Sequence, residues 1–546
     1  MNNVLAVFAG TGEWLNGNGG ILITMILYMC AVIGIGFYFY KRSQKNSENY
    51  FLGGRTLGPW VTAMSAEASD MSGWLLMGLP GVAYWCGLAD AFWTALGLAV
   101  GTYINWLIVA KRLRNYSQVA GNSITVPDFF SNRFKEEKKV VLGIASIFIL
   151  VFFTVYASSC FVTVGKLFNT LFGIDYHVML IIGALFVVVY TLIGGFLAES
   201  VSDFMQAIVM ISALVIMVIV GLVKADGIGN VISNAKDIPG FFSLNQLANP
   251  TVVDGVQQAG VSGLPFFGSP KPYGFLSMIS MLAWGLGYFG VPQVLLRFMA
   301  IRKPSEVKMS RRIATVWCVI SLAVAVLIGI MGRYLIPSNE TLNTASGAEN
   351  ILIELSTTYL PVIVAGVIMA GILAATISSS DSYLLIAASA VSKNIYQGII
   401  KKNKETDEKT IMWISRIVLI VIALVGIIVA WNEESVIFKL VSFAWAGFGA
   451  TFGPLMLFSL FWKRTTRAGA IAGMVTGAAS VFIWKLVLNP FVGGIFTIYE
   501  LLPAFILSSA AIVIASLASK KPSEEIEKEF DMAKAGVSEE EAVAAE

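Results

Sequence analysis

Glu67 and Asp70 stand in the stretch SAEASDMSGW, Ser65 to Trp74, inside an apolar run long enough to cross a membrane. A charge at bilayer depth costs ~2.5–3.5 kcal/mol per residue, so both carboxylates are expected to face a protein interior or a watery cavity. A second group of oxygens lies at Ala370 to Ser382, AGILAATISSSDS. Ala375, Ser378, Ser379 and Ser382 recur there at spacings of three and four, which puts them on one side of a helix, with Asp381 beside them. Asp203, in AESVSDFMQA, adds a further acid. Serines in a helix commonly bond back to their own main chain. Carboxylates and hydroxyls without imidazole or thiolate are also the donor set of a hard cation. His177 is the only histidine, and the four cysteines form no CxxC or Cys/His group, so neither zinc chemistry nor a disulfide framework is expected. No Walker A sequence, nucleophile elbow or HExxH is present, which argues against an enzyme.

These groups need elements to hold them at depth. Of the residues, 57% are hydrophobic and 13% charged, with a mean hydropathy of +0.76, so the chain reads as an all-α polytopic membrane protein. Apolar runs of about 20 residues predict about thirteen helices. They fall near 20–40, 61–84, 91–110, 141–170, 179–197, 204–224, 275–299, 313–335, 359–392, 412–431, 436–462, 468–487 and 498–518. Every second connection is basic, as at Lys41 and Arg42, Arg112 and Lys135, Arg302 and Arg311, Lys401 and Lys409, Lys463 and Arg467, and Lys520. That alternation predicts an N-terminus outside and a C-terminus inside. The net charge of +3 therefore reports topology and does not suggest nucleic acid as a partner. The expected division is an outer tail at 1–19, a transmembrane domain at 20–518 and a charged cytoplasmic tail at 519–546. That last tail should be solvated and in part disordered. The longest outside connection, about 225–273, should cover the outer mouth.

Two of the spans are interrupted. Ser72-Gly73 gives one helix a place to open, and irregular backbone at that depth is tolerated only where it is buried in protein or lines a cavity. The second interruption is MLAWGLGYFGVPQVLLRF, Met281 to Phe298, where Gly285, Gly287, Gly290 and Pro292 weaken the helix. Trp284 and Tyr288 would share a helical face there if the turn between them stays wound. Glycines can also serve only close helix packing. Two broken segments five helices apart point to an inverted repeat, about 61–224 and 275–462, whose halves share a central site. This suits an ion-coupled carrier better than a channel, since no TVGYG-like filter is present.

The motifs LGGRTLGPWVTAMSAEASDMSGWLLMGLPG, VPDFFSNRF, FFTVYASS, YTLIGGFLAESVSD, AWGLGYFGVPQVLLRFMA and GILAATISSSDS closely resemble the solute:sodium symporter family, above all its proline-carrying branch. The resemblance runs from about Asn49 to Trp462. It implies a leucine-transporter-type fold of five-plus-five inverted helices, with one extra helix before and two after, in the cytoplasmic membrane. It implies Na+ bound by the carbonyls of Ala68, Met71 and Ala375 and the hydroxyls of Ser378 and Ser379, with Asp70 important for coupling. Ser72, Gly73, Trp74, Tyr156, Trp284 and Tyr288 would surround an amino acid, and Arg55 would belong to a cytoplasmic gate. Asp203, Asp381 and Ser382 would serve coupling or build a second sodium site. Glu67, Val291 and Gln293 depart from the proline carriers. The expected function is sodium-coupled import of L-proline, with another amino acid, a monocarboxylate, choline or pantothenate as the alternative solute. A transporter-like sensor is less favoured, because the tail after Ser519 is too short for a signalling domain. The partners would be a small solute, sodium ions and the lipid bilayer.

Overall fold

The computed structural model describes residues 18–43, 47–260, 263–402 and 407–536. The expectations for residues 1–17 of the first tail and 537–546 of the last fall outside them. α1 (Asn18–Ser43) precedes the first broken helix, made of α2 (Pro59–Asp70), a wide turn at Trp74–Gly78 and α3 (Leu79–Cys86). α4 (Leu88–Ile104) runs on into α5 (Ala110–Val119), followed by α6 (Val126–Arg133), α7 (Val140–Phe172), α8 (Tyr176–Lys224) and α9 (Ile228–Asp237). Four short strands come next: β1 (Gln246–Pro250), β2 (Val252–Val253), β3 (Val256–Gln257) and β4 (Phe267–Pro272). β1 pairs antiparallel with β4 and β2 with β3, so the long connection expected at 225–273 holds α9 and two hairpins. α10 (Phe275–Leu282), a 3-10 segment (Ala283–Phe289) and α11 (Pro292–Ala300) form the second broken helix. The chain closes with α12 (Val307–Leu335), α13 (Ile351–Tyr359), α14 (Val362–Ser389), α15 (Glu408–Val429), α16 (Ile437–Phe461), α17 (Arg467–Ile483), α18 (Leu501–Ala518) and α19 (Glu524–Ala535).

Among the described residues ten helices are long and apolar enough to cross a membrane, or eleven when the second broken pair, bent by 41°, counts as one span. The expected helices at 179–197 and 204–224 lie on one 49-residue element, α8, bent at Gly195 (φ 64°, ψ 177°). Only glycine adopts that conformation cheaply, so the chain turns at one residue and resumes its helix without a loop. α14 and α16 are the most enclosed spans, 78% and 83% buried over their apolar windows, against 22% for α1. α14, which carries the candidate serines, is thus an inner helix, and α1 lies at the periphery.

The second broken helix reaches the interior by backbone contact. A Cβ at Gly101 of α4 would overlap the Cα and carbonyl of Gly285, and one at Gly97 would overlap the backbone of Leu282. Small residues let two helices approach until main chain meets main chain.

α19 differs from the expectation of a solvated, partly disordered tail. Phe530 is 5% exposed. Its ring lies under the Arg112 and Arg133 guanidinium groups, at 4.8 and 5.4 Å, and edge-on to Tyr116. Glu525 and Glu529, one turn apart, reach Lys135, while Glu527 and Asp531 reach Lys463 at 3.4 and 2.7 Å. Its bond to Glu529 raises the Lys135 ammonium above the usual lysine range. Exposed ion pairs contribute ~0.2–1 kcal/mol each. One buried ring and two acidic pairs at helical spacing thus order a segment that is otherwise poor in apolar residues.

The close contact of α4 with the broken segment makes Gly101→Val strongly destabilising, with an overpacking cost of about 3 kcal/mol. Gly34→Val, where a Cβ meets nothing within 4 Å, should be silent. Thermal unfolding of the two variants in detergent checks the contrast, and equal melting temperatures would contradict the backbone contact.

Candidate functional site

Proline at the first turn of α2 supplies an amide-free start. The helix winds to Asp70 and ends as Met71 leaves it (φ −85°, ψ 72°), with the Met71 amide bonded to the Glu67 carbonyl at 2.8 Å. Carbonyls freed at this break are taken by side chains from other helices. Ala68 O accepts the hydroxyls of Ser378 at 2.8 Å and Ser379 at 3.2 Å, and Ser378 also donates to Ala375 O at 3.2 Å. Asp70 O accepts Tyr156 Oη and Trp74 Nε1, each at 3.2 Å. Ala68, Ala375, Ser378 and Ser379 therefore meet in one fully buried cluster between α2 and α14; Met71, equally buried, follows three residues after Ala68. Ser378 thus bonds both back to its own helix and across to α2.

The Asp70 carboxylate faces the Tyr288 hydroxyl across the two breaks. The Ser72 hydroxyl, Trp284 Nε1 and the whole side-chain amide of Gln293 are buried without a hydrogen-bond partner. Buried polar groups are rarely left unpaired. These atoms at the two breaks offer what a small polar solute would satisfy. Gly73 has no room for a side chain, because a Cβ would overlap Thr163 of α7. A cavity of about 320 Å³ leads to Trp284 from the end of the molecule that carries Glu349, Lys439, Lys485 and Glu500. At that end Lys166 pairs with Glu349 at 2.7 Å, and the Glu349 carboxylate also receives the first amides of α16, from Ile437 and Phe438.

Trp284 and Tyr288 do not share a helical face. The stretch winds as a 3-10 segment, in which residues three apart, not four, superpose. Packing of Gly285 on α4 and of Gly287 on Trp445 selects that winding. Trp445 Nε1 donates to Trp284 O at 2.8 Å, and the Trp445 ring lies edge-on to Tyr288 at 5.1 Å. The Trp284 ring is enclosed by Trp74, Phe438, Trp445 and Tyr499. Its indole N–H is the part left free.

Asp203 and Ser382 belong to a second cluster, organised by Arg297. This guanidinium is fully buried. It donates to Glu199, to Asp203 at 3.1 Å, to Ser382 at 2.8 Å and to Ser65 at 3.0 Å, and lies over the Phe196 ring at 5.0 Å. Four elements meet on one cation: α2, α8, α11 and α14. Asp381 is alongside, but its carboxylate caps the amide of Ser382 at 2.8 Å and makes no bond to Arg297. Sequence reasoning missed Ser65, Glu199 and Arg297 as site residues; the signal was a charge inside an apolar run at Glu199 and Arg297. Glu67 turns toward Thr102 and Trp106, at 3.3 and 3.4 Å, and not toward the serines. Arg55 lies apart from both clusters and ties the chain before α2 to Ser117, Asn122, Ser123 O and Met299 O.

A family model described as "Sodium:solute symporter family" matches residues 50–477. The chain is 39% identical over 531 residues to proteins named "Sodium/proline symporter" from Staphylococcus aureus strains bovine RF122 / ET3-1 and USA300 / TCH1516, covering 97% of this chain and 98% of each relative. It has the fold of a Na+-coupled sialic acid symporter solved in a substrate-bound, outward-open state, with a TM-score of 0.70 at 19% identity over 92% of this chain and 99% of that one. A nucleobase-cation-symport-1 family transporter, solved closed with bromovinylhydantoin bound, superposes with a TM-score of 0.52 at 13% identity over 90% of this chain and 100% of that one.

Removing the guanidinium by Arg297→Gln strands Glu199 and Asp203 in the interior and should cost about 3–5 kcal/mol of stability. Adding Glu199→Gln should recover part of the loss. Melting temperatures of the single and double variants measure both effects, and an unaltered melting temperature for Arg297→Gln would show that the cluster is not a paired charge network.

Proposed function

We propose that this chain, which belongs to the sodium:solute symporter family, imports L-proline together with sodium across the cell membrane by alternating access. It is a multi-pass membrane transport protein and not an enzyme. The observation that carries the sodium reading is the meeting of Ala68, Ala375, Ser378 and Ser379 at the break in α2. Two carbonyls and two hydroxyls, with the Met71 carbonyl next along the chain, are hard oxygen donors at the spacing of one helical turn. Asp70 adds negative charge beside them.

Proline enters as substrate from the relatives' names and from the unpaired groups at the two breaks. Ser72 and the amides after the break suit a carboxylate, as half-helix N-termini do in other inverted-repeat carriers. Gly73, Trp74, Tyr156, Trp284 and Tyr288 wall the pocket, and the Trp284 indole offers a donor. Glu67, packed against α4, is outside that wall. The rival is another small solute, such as a different amino acid, a monocarboxylate, choline or pantothenate. Gln293 favours it, because its amide is buried without a partner at the second break.

Thirteen crossings follow if each broken helix is one span and the two arms of α8 are two. The N-terminus then lies outside, the hairpins and the Lys166–Glu349 pair face outward, and Arg55, the Arg297 cluster and α19 face the cytoplasm. The repeats would be about 61–224 and 275–462. Arg297 supplies a tethered cation to Asp203 and Ser382, so Asp203, Asp381 and Ser382 serve coupling through the inner half of the molecule, in preference to a second sodium. Arg55 holds the adjoining inner gate.

Uptake of a panel of labelled solutes into proteoliposomes tests this reading. Proline should accumulate only with a sodium gradient, and Ser378→Ala with Ser379→Ala should shift sodium activation at least tenfold upward. Accumulation of a different solute alone would remove proline, and an unshifted sodium curve would remove the serine ligands.

Trp284→Phe keeps a ring in the wall and deletes its N–H. Loss of a hydrogen bond to a charged group costs ~1.5–3 kcal/mol. The variant should therefore raise the proline KM by about tenfold or more and leave the sodium activation curve within about twofold of the parent, as read from uptake kinetics.

A further inference from the structure

One turn past Ser379 on α14 stands Tyr383, a fully buried side chain that belongs to neither cluster. Its ring stacks on Tyr156, with centroids 4.2 Å apart and planes 29° apart, and on Phe153 at 5.2 Å and 21°. Both partners are on α7, three residues apart, and Phe153 packs in turn on Phe448 of α16 at 4.4 Å. The Tyr383 ring face thus makes its contact with α7, and its hydroxyl stands beside that of Tyr156.

Tyr156 is the other half of the argument. Its hydroxyl donates to Asp70 O, two residues beyond the Ala68 carbonyl that Ser378 and Ser379 hold. α14 thus grips the broken end of α2 twice: directly, through two serines, and indirectly, through Tyr383 and then Tyr156. The direct grip is at the proposed sodium ligands and the indirect one ends at the wall of the proposed substrate pocket. Any change in how α14 seats against α2 is carried one turn along a stiff helix to the face on which Tyr156 lies.

We propose that Tyr383 is a positioning residue that makes substrate affinity depend on sodium. A sodium ion drawn between Ala68 O and the serine hydroxyls fixes α14 against α2; Tyr383 on the same helix then holds Tyr156 against Asp70 O, and the pocket is set for its solute. The proposal rests on the reading of the chain as a sodium-coupled proline carrier. Two sites are linked when both bias one shared element, and the linkage is a measurable ratio of affinities.

The test is equilibrium binding of labelled proline to the purified full-length protein at low and at saturating sodium, with a separate sodium titration without proline. In the parent the proline affinity should rise with sodium. Tyr383→Leu should shrink that rise by about 3- to 10-fold, the range set by an aromatic pair, and keep the proline-free sodium titration within about twofold. Tyr383→Met reads the same ratio should the leucine variant fold poorly. Tyr383→Phe, which keeps the ring, should match the parent, and Tyr383→Leu should add nothing further in a Tyr156→Leu background. An unchanged affinity ratio in the leucine and methionine variants overturns the proposal. So does a phenylalanine variant as weak as leucine, which would put the effect on the hydroxyl and not on the stacked ring, or a proline-free sodium affinity that falls as far as the coupling. A parent that binds no proline in sodium fails the substrate reading and this inference together, whereas sodium-linked proline binding that survives in the variants fails the inference alone.

Discussion

A main-chain carbonyl with no water beside it must find a donor, and at bilayer depth the donor has to be protein. Breaking two helices in the interior frees several such carbonyls at once. Each one described here is met by a side chain from a different helix: Ala68 O by Ser378 and Ser379, Asp70 O by Tyr156, Trp284 O by Trp445, and Tyr288 O by Asn105 at 2.9 Å. These donors fix where α4, α7, α14 and α16 stand relative to the breaks. The site is thus a by-product of satisfying the irregular backbone that gives it its shape.

The Arg297 cluster applies the same constraint to charge. Glu199 and Asp203 alone would be intolerable in the interior, and one guanidinium with five donors relieves both and reaches Ser65 and Ser382 as well. Removing one member of such a group is costly because the others stay buried. Elements that share this cation are consequently tied to one another, and they can separate only if water or another cation takes its place. The serine cluster is one turn away on α14, so the neutral and the charged contacts of that helix respond to the same displacement.

Much of the site could be read from spacing. Ser378, Ser379 and Ala375 follow from a one-sided helical pattern, and Ser72-Gly73 from polarity where none is expected. What stayed hidden was decided by residues far away in the chain. The winding of Trp284 to Tyr288 depends on Gly97, Gly101 and Trp445, so a local reading gives the aromatic residues but also a common face that the 3-10 winding does not make. Glu199 and Arg297, 98 residues apart, are each a lone charge until the fold brings them together. The join of 179–197 to 204–224 was missed because a single glycine can bend a helix without a loop. The polar composition of α19 reads as a solvated tail; its order comes from Phe530, held under Arg112 and Arg133 some 400 residues earlier, and from acids one turn apart that pair with Lys135 and Lys463.

Ala68 meets Ser378 and Ser379 through its carbonyl oxygen. No replacement of its side chain deletes that oxygen, and proline alone among the residues would disturb its helix directly. A mutational scan therefore reads at residue 68 the fit of a buried side chain, and registers the oxygen only through the two serines that face it. Natural drift meets the same blindness, so the identity of residue 68 is free to be set by its fit against neighbouring helices while the oxygen is inherited with the backbone.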